Sequence, residues 1–198
     1  MECVFKARDH IDCIWRALEE INIDSPNTKI KFVSTMLFVA FNHCDGIQTL
    51  VKKKNFASAY ALVRPLLESS FRAFWLHRCA TEEQVAKCID SDKWKSAWDF
   101  INEYEAEMEF SPTLSNIWSE MRSSLHSYTH GGLQIASRHI DSESTVTPNV
   151  SDEEVLQLMQ IVGLISWLIF AEFIDLAESN DHLELYENLG NELHEWAF

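Results

Sequence analysis

Arg64, Glu68 and Arg72 stand at i, i+4 and i+8 in a sequence of 198 residues. The run around them is otherwise apolar: Ala61, Leu62, Val63, Leu66, Leu67, Phe71, Phe74, Trp75 and Leu76. Residues four apart share one face of a helix, so the three make a single charged stripe on a helix that is apolar elsewhere. Charges so placed must pair, reach water or face a polar cavity. Two readings are open. One is an Arg–Glu–Arg ladder that keeps helices in register; the other is a cavity whose guanidinium forks bind an anion.

Arg122, His126 and His130 repeat the same spacing and are followed by Gly131-Gly132, Gln134 and Arg138. With Met121 at zero and about 100° per residue, Leu114, Ile117, Trp118, Leu125 and Tyr128 fall between about −40° and +60°. Arg122, His126 and His130 fall at about 100°, 140° and 180°, off that apolar face. Imidazole beside guanidinium suits general acid–base work on a phosphate: histidine moves the proton and arginine steadies the developing charge. The alternative is a solvated helix face ended by a Gly–Gly terminator. Two histidines without a nearby carboxylate motif do not make a metal site, and neither a metal nor another cofactor is expected. Two adjacent glycines among only five in the chain permit a sharp bend and close backbone approach after His130. There is no phosphate-binding glycine loop, dinucleotide fingerprint, HExxH or G-x-S-x-G elbow.

The elements that must position these groups are helical throughout. Val4, Ile11, Ile14, Trp15, Leu18 and Ile21 predict an amphipathic helix over about residues 3–22. Ser25-Pro26 marks a stop, and further helices are expected over about 28–54 and 56–78, the latter kinked or starting late near Val63 because of Pro65. Thr81 to Gln84 reads as a capping box opening a short helix to about Ile89. Helices follow over about 93–109 and from Ser111-Pro112 to the glycine pair, with a short turn of helix to Arg138. Residues 140–151 read as a loop, and Ser151 to Glu154 as a second capping box launching a mostly apolar helix to about Glu178. Its Val155 to Ala171 stretch reads as a central buried helix, not a membrane span. The expected architecture is all-α: one domain over residues 1–198, its bundle core about 28–178, with a C-terminal amphipathic helix about 181–196.

Composition agrees and narrows the function classes. Hydrophobic residues are 46% and charged residues 24%, which excludes wholesale disorder; five Gly and four Pro argue against turn-rich β folds. The net charge of −15 is uneven: residues 1–100 carry 14 Lys and Arg against 13 Asp and Glu, residues 101–198 only Arg122 and Arg138 against 18. Such a second half disfavours broad nucleic-acid tracking and anionic membrane surfaces. It favours solubility or a basic partner. Lys52-Lys53-Lys54 reads as a complement to a helix end. The five cysteines have no CxxC and no close pair, which points to a reducing, cytoplasmic setting with buried thiols. Cys44, Cys88 and the tryptophans read as core.

Leu62 to Glu68 (LVRPLLE), followed by Arg72 and Trp75, resembles a hallmark of uncharacterised bacterial all-helical families. Leu125 to Gly132 (LHSYTHGG), with Gln134 and Arg138, resembles their second motif. The helical layout is similar to the HEPN superfamily, whose members include toxin ribonucleases and effectors of antiphage and toxin–antitoxin systems. The resemblance implies a cytoplasmic protein of bacterial defence or stress response. HEPN nucleases carry Arg, four to six residues, then His; here three residues separate Arg122 from His126, and seven separate it from His130.

Taken together, the expected ligand is a nucleotide or RNA. Arg64, Glu68, Arg72, Tyr128, Gln134 and Arg138 are its candidate binding residues, with Glu68 orienting Arg64. Arg122, His126 and His130 are the candidate catalytic residues, with His130 as acid/base. Whether there is catalysis is open. The alternative is a noncatalytic interaction module whose acidic half engages a basic, cognate protein partner; a homodimer through the aromatic final helix is also open.

Overall fold

A computed structural model describes residues 2–198. Nine α-helices are present among the described residues: α1 (Glu2–Glu20), α2 (Thr28–Lys52), α3 (Phe56–Arg78), α4 (Glu82–Ser91), α5 (Ala97–Glu107), α6 (Thr113–Thr129), α7 (Leu133–Ser137), α8 (Asp152–Leu176) and α9 (Leu183–Ala197). Among those residues the only extended pairing is an isolated bridge between Ile140 and Val146. The fold is an all-α, single-domain bundle.

α2 and α3 form an antiparallel pair, the most extensive in the fold, and α3 lies at its centre. α8 packs against α1, α2 and α9, whereas α5 and α6 pack against α3. This explains why α3 is apolar on several sides: Val63, Leu66, Leu67, Phe71, Phe74 and Trp75 are all buried, facing neighbours in different directions. Burying such side chains contributes about 1.5–3 kcal/mol each before conformational entropy is counted. α8 is, among the described residues, the one helix long and apolar enough to cross a membrane, and most of that apolar stretch is packed inside the bundle. Gln48, fully buried on α2, donates to the Val4 carbonyl at 2.8 Å and so fixes α1 against α2.

Helix ends follow local chemistry. Thr81 with Gln84 and Ser151 with Glu154 form the two expected capping boxes. A third, Ser96 with Asp99, starts α5 at Ala97 rather than near Lys93. Pro65 neither delays nor ends α3, which runs continuously from Phe56 to Arg78. Enclosure by α2, α5 and α6 outweighs the one backbone hydrogen bond that proline removes.

α6 has no side-chain cap of its own, since Pro112 occupies the N-cap position. The cap comes from α5: the buried Glu105 carboxylate accepts from the Leu114 and Ser115 amides at 2.6 and 3.2 Å. An anion at a helix N-terminus is doubly favoured, by hydrogen bonding and by the helix dipole. Glu105→Ala leaves two buried N–H groups unmet and is expected to cost about 2–4 kcal/mol. Denaturant unfolding measures the loss, and faster hydrogen exchange at Leu114 locates it; unchanged exchange there contradicts this role.

Candidate functional site

The charged stripe of α3 lies on the one face that its neighbours leave open. Arg64, Glu68 and Arg72 form one wall of a hollow of about 650 Å³. Lys95, Ser96, Ala97 and Trp98, from the approach to α5 and its first turn, form a second wall, and Arg122 and His126 of α6 a third. Phe100, Trp118 and Leu125 make its apolar floor. The walls are held by aromatic packing. Phe71 meets Trp118 edge-on at 6.0 Å between α3 and α6, and Trp75 meets Phe100 at 5.0 Å between α3 and α5.

The first stripe pairs within α3 and also lines the hollow. Arg64 Nε donates to Glu68 at 2.8 Å, and an Arg72 terminal nitrogen lies 3.8 Å from the other oxygen of Glu68. That is an Arg–Glu–Arg ladder, yet all three side chains are part-exposed and line the hollow. A guanidinium has five N–H donors, so a single shared carboxylate leaves most of the donor capacity of the pair free. Arg72 also rests 5.0 Å over the Trp94 ring, which sets its plane. Arg122 makes no ion pair among the described residues.

The hollow therefore gathers four cations, Arg64, Arg72, Lys95 and Arg122, against one lining carboxylate. Lys95 is partly spoken for: it donates to Glu103 at 2.7 Å and sits 4.7 Å over the Trp75 ring. Even so, this is a cationic concavity in a chain of net charge −15. Low-dielectric walls focus such a field on an anion of ligand size. Trp98, 46% exposed at the rim, departs from the reading of the tryptophans as core and offers a flat apolar face to a guest. Sequence reasoning missed Lys95 and Trp98. Their signal was the Trp94-Lys95-Ser96 run just ahead of a capping residue.

The second stripe is divided. Arg122 and His126 line the hollow, but His130 does not. His130 lies one turn on, at the C-cap of α6, exposed, with its ring 4.6 Å from that of His126. Of the two candidate histidines of this stripe, His126 alone lines the hollow.

Tyr128, Gln134 and Arg138 are also placed elsewhere. Arg138 stacks over Tyr60 at 5.2 Å and Tyr128 at 5.1 Å, and pairs with Glu154 at 2.8 Å. This cluster locks the segment after α6 onto α3 and α8. Burial, with the Glu154 charge adding to it, pushes the Tyr60 hydroxyl up to about 12. Gln134 is exposed on α7, and its backbone N–H donates to Ser127 Oγ at 2.9 Å. The glycine pair makes the reversal possible. Gly131 has φ +66°, the left-handed C′ position of a helix end, while a Cβ on Gly132 would lie 2.6 Å from Ser127 Oγ. The Gly132 amide donates to the Ser127 carbonyl at 2.8 Å, closing the helix. These glycines therefore have a structural reason at the end of α6 and do not touch the hollow.

One buried network went unread in the sequence. Glu172 of α8 is 1% exposed and accepts from Tyr104 Oη at 2.8 Å, from Arg78 Nε at 2.8 Å and from His77. It ties the C-terminal end of α3 and the body of α5 to α8. Burial beside Glu172 pushes the Tyr104 hydroxyl far up, so it remains a donor. The five cysteines are free; burial pushes Cys79 up to about 11, and Cys44 and Cys88 upward as well. No group of His, Cys, Asp or Glu with metal-holding geometry exists among the described residues.

No curated protein and no solved structure matches the chain. Residues 37–193 match a family of unknown function, DUF6988, and this span contains every cation that lines the hollow; the chain belongs to that family.

Proposed function

We propose that the protein binds a nucleotide-sized, phosphate-bearing ligand in the hollow between α3, α5 and α6. The observation that carries this reading is the gathering of Arg64, Arg72, Lys95 and Arg122 around one concavity of an otherwise acidic chain. The guanidinium groups hold phosphate oxygens, Glu68 fixes the Arg64 fork, and Trp98 stacks against a base at the rim. The volume of about 650 Å³ suits a nucleotide or one nucleotide of a strand. A long RNA needs a cationic track, and the cations here are local.

His126 is the only imidazole lining the hollow, so proton transfer to or from the bound ligand falls to it. On the resemblance to HEPN-like families, we place the protein in bacterial defence or stress response within the cytoplasm. A second reading, binding of a basic partner protein without catalysis, is favoured by the surplus of 16 negative charges in residues 101–198.

Isothermal titration of the full chain with ADP, inorganic phosphate and a short oligoribonucleotide tests the proposal. One ADP per chain is expected, bound more tightly than phosphate and weakened by salt. Incubation with ADP and with RNA, followed by product analysis, then tests for turnover. His126→Ala is expected to lower any turnover by about 10²–10⁴-fold with binding retained. Absence of binding by all three probes refutes the reading.

A further inference from the structure

The apolar face of α6 is only half covered. Leu114, Trp118 and Leu125 are buried where α6 packs on α3 and α5. Ile117 and Met121 belong to the same face by helical periodicity, yet both stay part-exposed. They border a groove of about 570 Å³ that is separate from the cationic hollow. Its other wall is α8, through Leu158, Ile161 and Leu164, of which Ile161 and Leu164 are also part-exposed. α6 packs on α3, α5 and α7, and α8 on α1, α2, α3 and α9, so the two helices leave a gap between them.

The groove is lined along α6 from Thr113 to Tyr128, which at about 1.5 Å per residue is about 22 Å, or roughly four turns of helix. One end is closed by Arg138, which pairs with Glu154 and stacks over Tyr60 and Tyr128. With Arg138 so engaged, the exposed Glu120 is the one lining charge without an ion pair among the described residues. Two uncovered apolar helix faces across a gap of this length are the shape into which an amphipathic helix lays its own apolar stripe. Charge selects the partner. Both walls come from residues 101–198, which carry 18 Asp and Glu against two arginines. A second copy would bring the same carboxylates face to face, whereas a cationic helix meets them as counter-charges.

We propose that the groove between α6 and α8 docks an amphipathic helix of a partner protein, apolar on one face and rich in lysine or arginine on the other. Its apolar side chains, recurring at three and four, lie over Ile117, Met121, Ile161 and Leu164. A cation at its edge pairs with Glu120. This assigns a surface to the second reading above, a basic protein partner, and rests on it; it does not depend on the nucleotide hollow.

The test is fluorescence anisotropy of the full chain with two labelled leucine–lysine peptides of about 15 residues, a length that matches the groove. One carries its leucines on a single helical face; the other has the same composition with the leucines scattered. One amphipathic peptide per chain is expected, bound about tenfold or more tighter than the scattered one. Met121→Asp/Leu164→Asp should weaken it about tenfold or more, because leucines would then bury two carboxylates. Phe38→Asp/Val39→Asp adds the same charge at two apolar residues of α2, each 44% exposed, and should change affinity by less than about twofold. In the unsubstituted chain the Met121 methyl resonance should shift on peptide addition. Equal binding of both peptides keeps a basic partner but overturns the groove, and binding of neither overturns both. An unmoved Met121 methyl, equal weakening by the two double variants, or a dimer of the free chain that Met121→Asp/Leu164→Asp dissolves also overturns the proposal.

Discussion

Removing two guanidinium groups from opposite walls of the cationic hollow, as in Arg72→Ala/Arg122→Ala, is expected to weaken ADP binding by at least about 100-fold. A hydrogen bond to a charged group contributes about 1.5–3 kcal/mol, and tenfold in affinity is about 1.4 kcal/mol. Two such contacts, separately placed, therefore reach or exceed two decades. Neither change strands a buried charge. Glu68 keeps Arg64 at 2.8 Å, and Arg122 is exposed without an ion-pair partner among the described residues. The comparison variant is Lys52→Ala/Lys53→Ala, which removes equal charge near the end of α2, outside the hollow. Affinity there should move by less than about threefold, a long-range effect only. Comparable losses in both double variants would mean that diffuse attraction, not the hollow, holds the ligand.

The largest stability effect is expected at Glu172. Glu172→Ala removes the common acceptor of Arg78, His77 and Tyr104, leaves the buried Tyr104 hydroxyl without that acceptor, and leaves the half-buried Arg78 guanidinium with only Asp175, 2.9 Å from its other arm. Breaking a buried pair by deleting one partner costs about 3–5 kcal/mol. At about 2–4 °C per kcal/mol for a chain of this size, Tm should fall by about 6–20 °C. Glu172→Gln, which keeps an acceptor for Tyr104, should lose less. Because Glu172 joins α3 and α5 to α8, hydrogen exchange should accelerate in α5 before α2. A Tm within about 2 °C of the parent would show that the network is dispensable.

The helices were readable because periodicity and caps are local. Thr81, Ser151 and the glycine pair punctuate the chain by hydrogen bonds and φ values that depend on a few neighbours. The late start expected at Pro65 failed for the opposite reason: the fate of a proline inside a helix depends on what encloses that helix, and α3 is surrounded. The same distinction divides the candidate site. The stripes at Arg64, Glu68 and Arg72 and at Arg122 and His126 could be found from spacing alone, since i, i+4 neighbours share a face in any helix. Which end of a stripe meets another helix depends on crossing geometry, so His130 could not be told from His126. Arg138 read as a ligand group because it follows the second motif, and nothing near it in sequence marks a partner. Its partners, Tyr60 on α3 and Glu154 on α8, are far away in sequence. Glu172 had a signal, as the carboxylate that ends the longest apolar stretch, but its three donors come from two other helices.

A crystal structure of the chain grown with ADP tests the central claim most directly. Density for the phosphates should lie among Arg64, Arg72 and Arg122, with the base against Trp98 and His126 within hydrogen-bond reach of the ligand. Nucleotide bound at any other face, or an empty hollow at saturating ADP, would contradict it.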